Sequence, residues 1–241
     1  MKNYDDFKPD QATSSWYGGN IFDILRSFPL FVKRYLINPL HVSREMKHRE
    51  NFGFSVFIGF LYVLSSSLIP LGFCLNCSAV LKKIYSEEVV APVKASVLLG
   101  FSFSIIATLA FLATTYLIAG AKGAQKPRPT EVLSVFFSNT IGVSVLQLAC
   151  FGLSFLSVYV SILVFLLSLF YFGIISTIGI EALTDAMVFG RQAFITSWSI
   201  SIMQATLFFV FIAFLYIILH SFRVAGTPLK DPLPTMLRYL Q

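Results

Sequence analysis

From Val132 to Ile180 the chain runs for 49 residues without one Asp, Glu, Lys, Arg or His. As a single helix this stretch would be about 73 Å long, more than twice the ~30 Å hydrocarbon core of a bilayer. A soluble fold has no place for it, because its flanks would expose too much contiguous apolar surface. It reads as two membrane spans joined by a tight turn near Gly152–Val158. Three further apolar runs of span length accompany it: Phe52–Cys74, Ala95–Gly120 and Ser199–Leu219. The count is five spans, at about residues 52–74, 95–120, 132–153, 157–181 and 199–219. The expected fold is all-α, a polytopic membrane helix bundle occupying 51–220 and preceded by interfacial amphipathic helices over 21–50. Of 241 residues, 56% are hydrophobic and only 12% charged, about half the charge of a soluble domain.

Lys and Arg set the expected orientation. Twelve lie on the side of the N-terminal segment and six on the other. This places the N-terminus in the cytoplasm and the tail, 221–241, outside, in what reads as a bacterial cytoplasmic membrane. Residues 1–20 read as a disordered cytoplasmic N-terminus without an apolar h-region, so the first span is expected to serve as the insertion signal. The net charge of +6 is accounted for by headgroups and topology, with no nucleic-acid signal. Cys74-Leu75-Asn76-Cys77 is a lone CxxC at the outer end of the first span. It fits a local disulfide or two free thiols, and lacks the second pair that a structural zinc site of about four ligands needs.

Ahead of the spans stands FPLFVKRYLINPLHVSREMKHRE, residues 28–50. On a helix, Asp23, Arg26, Ser27, Lys33 and Arg34 fall within an arc of about 120°, with large apolar residues elsewhere. Pro29 interrupts the backbone ladder, which predicts a kink or two short helices. Asn38-Pro39 reads as an N-cap followed by Pro at the first helical position, restarting a helix towards Asn51. Arg26, Lys33, Arg34, Arg44, Lys47 and Arg49 are the candidate membrane-surface residues, facing a bilayer with anionic headgroups. The simpler reading is an interfacial anchor; the sharper one is a docking helix for a partner or a sensor of anionic lipid.

Within the spans the candidate functional groups are few. Glu181 and Asp185, at i and i+4, share a helical face at the cytoplasmic end of the fourth span. They could bind a cation or accept a proton, or form the polar continuation of an emerging helix. Asn139 and Gln147, with Ser138, Thr140, Ser176, Thr177 and Gln204, suit hydrogen bonds between helices or the lining of a small pore. Ser96, Gly100 and Ser104 in the second span, and Ser134, Ser138 and Gly142 in the third, form small-residue stripes for close helix packing, within the chain or between copies. Phosphate-loop, HExxH and GxSxG motifs are missing, so no catalysis, cofactor or metal is expected.

The order of these parts, with LINPLHVSREM before the first span, IAGAKG after the second and LFYFGIISTIGIEALTDAMVFGRQAF leading into the fifth, resembles the Yip superfamily. These are the Ypt/Rab-interacting membrane proteins and their bacterial relatives. The resemblance implies five helices with a cytoplasmic N-terminus; the leading reading of the function is a non-enzymatic membrane protein of this type, acting through helix packing and partner binding in membrane or envelope organisation. Other membrane proteins or a second copy would be the partners. The DLYGP motif of the eukaryotic branch has no counterpart here, so Rab-type GTPase binding is not carried over. The alternative reading is a channel, a permease subunit or a small transporter acting as an oligomer.

Overall fold

The computed structural model describes residues 21–47, 51–85, 89–121, 126–184, 191–224 and 227–228. The expectations for 1–20, for Arg49, for Asp185 and for the tail beyond 228 lie outside them. In chain order the elements are α1 (Ile21–Ile37), α2 (Pro39–Glu45), α3 (Phe52–Tyr85), β1 (Val89–Val90), α4 (Val93–Ala121), α5 (Pro129–Asn139), α6 (Ile141–Ser154), α7 (Val158–Thr184), α8 (Arg191–His220), β2 (Arg223–Val224) and β3 (Thr227–Pro228). Four helices, α3, α4, α7 and α8, are long and apolar enough to cross a membrane. The pair α5 and α6, bent by 45° at its junction, makes a fifth span if taken together. These helices fit an integral multi-pass membrane protein.

Glycines set the closest approaches, with α3 at the centre. A Cβ on Gly100 of α4 would lie 2.6 Å from the Ser66 carbonyl oxygen and the Ser67 Cα, so α4 rests on the backbone of α3. Gly59 of α3 takes the Phe137 ring, and Gly142 of α6 takes the Tyr171 ring of α7. Such contacts suit association in lipid, where dispersion rather than water exclusion holds helices together. Aromatic rings fill the middle of the bundle: Phe165 of α7 stacks on Phe211 of α8 with centroids 3.8 Å apart, and Phe136 of α5 meets Phe111 of α4 at 4.8 Å. Outward-facing side chains such as Phe60, Leu98, Leu117, Phe170 and Phe209 are exposed, as lipid-facing positions should be.

At the end remote from α1 and α2, the loop after α3 pairs with the chain after α8. Val89 and Val90 of β1 align antiparallel with Val224 and Arg223 of β2, which pairs onward with β3. Phe222, Val224, Ile218, Leu81, Cys74 and Cys77 form a buried cluster beneath this small sheet. Both cysteines are free thiols.

Three local expectations are revised. The third span is a broken helix rather than one run over 132–153. Ser138, Asn139 and Thr140 carry side chains that compete for backbone groups, and the Thr140 hydroxyl donates to the Phe137 carbonyl at 2.7 Å. α1 runs through Pro29 as one helix, which sets aside the two short helices but not a kink. The restart at Asn38-Pro39 does form, the Asn38 side chain accepting from the His41 N–H at 3.2 Å, but α2 stops at Glu45 rather than running towards Asn51. There the Asn51 side chain donates to the Glu45 carbonyl at 2.8 Å, meeting one of the orphan acceptors of a helix end.

Candidate functional site

The break in the third span is where the interfacial segment grips the bundle. α1 lies against the start of α3, with Phe31 and Phe54 centroids 4.8 Å apart and Phe28 edge-on to Phe57 at 5.9 Å. This seats Tyr35, 1% exposed, so that its hydroxyl donates to the Asn139 carbonyl at 3.3 Å. That carbonyl ends the α5 ladder and has no helical partner of its own. Burial, and after it the neighbouring Tyr171, pushes the Tyr35 phenol well above its ordinary pKa, so it remains a neutral donor.

α2 brings Ser43, fully buried, to the Asn139 side chain. The Ser43 oxygen lies 2.7 Å from Asn139 Oδ1 and 2.7 Å from the Pro39 carbonyl, while Asn139 Nδ2 has no partner. A hydroxyl carries one proton and cannot donate to both acceptors. Turning the amide over resolves this: Nδ2–H donates to the Ser43 oxygen, and Ser43 donates to Pro39. The other amide atom then faces Gly179 of α7, where a Cβ would lie 2.9 Å from it. Two elements, α2 through Ser43 and α7 through Gly179, thus close on the buried carboxamide at the end of α5.

Gln147, also buried, belongs to a second polar contact deeper in the bundle. Its Oε1 accepts from Ser65 at 2.7 Å and Ser66 at 3.1 Å, tying α6 to α3. Tyr62, Gln147 and Ser168 help to line a void of about 10 Å³, room for about one water. The remaining polar candidates bond within their own helix or, for Gln204, across to α7. Ser176 donates to the Phe172 carbonyl at 2.7 Å, and Gln204 lies across Gly173, reaching the Leu169 carbonyl at 3.5 Å. Among the described residues no hydrogen bond joins Asn139, Gln147 and Ser176 into one path towards Glu181. Glu181 is half-buried on α7 and forms no ion pair among the described residues.

The small-residue stripes are buried inside the chain. Ser96, Gly100 and Ser104 are covered, with Gly100 facing α3; Ser134 and Ser138 are covered, and Gly142 faces α7. Of the basic candidates, Arg26, Lys33 and Arg44 are exposed, and Arg34 and Lys47 half-buried. Tyr35, Ser43, Ser65, Ser66 and Tyr171 were not singled out from the sequence. Ser65-Ser66-Ser67 inside an apolar run was an available signal for the Gln147 contact; for Tyr35 and Ser43 there was none. No protein family, curated protein or solved structure matches the chain.

Proposed function

We propose that this is a non-enzymatic multi-pass membrane protein of Yip type, working through helix packing and partner binding in membrane or envelope organisation. The observation that supports this reading most is the seating of α1 and α2. Phe31, Tyr35, Val42, Ser43 and Met46 are buried against the bundle, while basic and apolar side chains of the same helices face outward. A fixed external platform on a bundle whose buried carboxamides are tied to neighbouring elements is suited to binding. Its cytoplasmic placement follows the Lys/Arg bias, and cysteines introduced at Arg26 and Lys83 should label from opposite sides of sealed vesicles. Crosslinking in native membranes tests the function itself: recovery of defined membrane partners through the α1–α2 face is expected, and recovery of the chain alone argues against it.

The broken third span favours a second reading, a small transporter or channel component acting as an oligomer, because discontinuous helices commonly mark binding sites in transporters. Solute flux in proteoliposomes that is lost on Glu181→Gln would decide for it.

A further inference from the structure

The middle of the bundle holds two small voids of equal size, about 10 Å³ each, with the Phe103 ring lining both. They differ in what else surrounds them. The first has three polar side chains from three helices, Tyr62 of α3, Gln147 of α6 and Ser168 of α7, set among apolar groups that include Ala107 and Phe172. The second has Ser66 as its one polar lining residue, against Phe165, Phe211 and other apolar groups. We propose that the first void is a binding site for a single water molecule, held by Gln147, Tyr62 and Ser168 and joining α3, α6 and α7, while the second stays dry.

Gln147 is 2% exposed, and Ser65 and Ser66 take one end of its carboxamide. The other end has no hydrogen-bond partner among the described residues, and turning the amide over exchanges the two atoms without changing that count. Left so, it is a buried polar group in a medium that offers no alternative partner. Ser168 donates its proton to the Phe165 carbonyl at 2.7 Å, which leaves its oxygen able to accept. Tyr62 is bonded to Ser66, and a phenol that makes one hydrogen bond keeps a second role. A water among these three groups makes about three hydrogen bonds, as buried waters typically do, in a space just large enough for one. In the second void a water would find acceptors on one residue only. Ser66 offers its hydroxyl oxygen and the carbonyl that Pro70, lacking an N–H, leaves without a helical donor.

This site rests on the packing of the bundle and not on any protein partner. It is tested by X-ray hydroxyl-radical labelling of the full chain in nanodiscs, in which radicals form from water in place and oxidise the rings beside it. Phe172 lines the first void and not the second, Phe165 and Phe211 the second and not the first, and all three are buried. Phe172 and Tyr62 should therefore be oxidised, and Phe165 and Phe211 spared. Gln147→Leu should abolish the labelling of Phe172. Ala107→Val, which fills the void and removes no hydrogen-bonding group, should do the same. Equal labelling of Phe172 and Phe165 in the parent chain, whether high or low, would overturn the assignment without recourse to a variant. Labelling of Phe172 that survives both substitutions would overturn it too. Failure to capture membrane partners, with the Phe172 labelling as expected, would count against the proposed function alone.

Discussion

Asn139 and Gln147 are buried carboxamides about two helical turns apart on the third span, and their neighbours differ in kind. Gln147 sits within an intact helix and accepts from two serines of α3; it joins span to span. Asn139 sits where the helix breaks, and its partners come from α1 and α2, outside the transmembrane helices. Amides in lipid usually hold helices to one another. The contrast shows that one residue type can do this at one level of the bundle and bind an interfacial segment at another, the break supplying the free carbonyl that makes the second use possible.

The comparison can be broken by substitutions that touch one amide and spare the other. Gly142→Leu should have the largest effect, because a Cβ there already meets the Tyr171 ring at 2.5 Å. Overpacking of this order costs about 3 kcal/mol, read by equilibrium unfolding in mixed micelles. The loss should appear first as faster hydrogen exchange in α1 and α2. Gln147→Ala should cost about 2 kcal/mol and loosen α3 against α6, with α1 and α2 still protected. Asn139→Ala should cost about 1 kcal/mol, since Ser43 keeps the Pro39 carbonyl; here α2 should lose protection and α3 should not. Identical exchange maps for these two variants would erase the distinction between the sites.

Tyr35→Phe should have the smallest effect at neutral pH, at most about 1 kcal/mol for one long hydrogen bond. Its pH dependence is more telling. The folded phenol has a raised pKa, with burial as the main cause, so its contribution is full below the ordinary phenol value of about 10 and falls as pH rises past it. Protection of α1 should therefore decline above about pH 10 in the parent chain and less so in Tyr35→Phe. A parallel decline in both would remove Tyr35 from the account.

The five apolar runs and the hairpin turn were legible in the sequence because they depend on local composition and on bilayer thickness. The cap at Asn38-Pro39 was legible for the same reason. The break was not. Ser138-Asn139-Thr140 is visibly polar, yet its bend is held by groups 104 and 96 residues away in the chain, and no local pattern announces them. The stripes through Gly100 and Gly142 were readable as close-packing faces, but not their partners: the backbone of α3 for one and the Tyr171 ring for the other. On α1 the apolar arc looked uniform. Only the position of Phe54 and Phe57 on α3 divides it into a bundle-facing part and an outward strip.

The small sheet at the far end has a consequence for how the chain is assembled in the membrane. β1 lies just after the first long helix and β2 just after the last, so Val89 waits for Val224 until every intervening helix has been threaded. A chain halted before α8 leaves the Val89–Val90 edge without Val224 and Arg223, so this contact is among the last that the chain can make as it is synthesised.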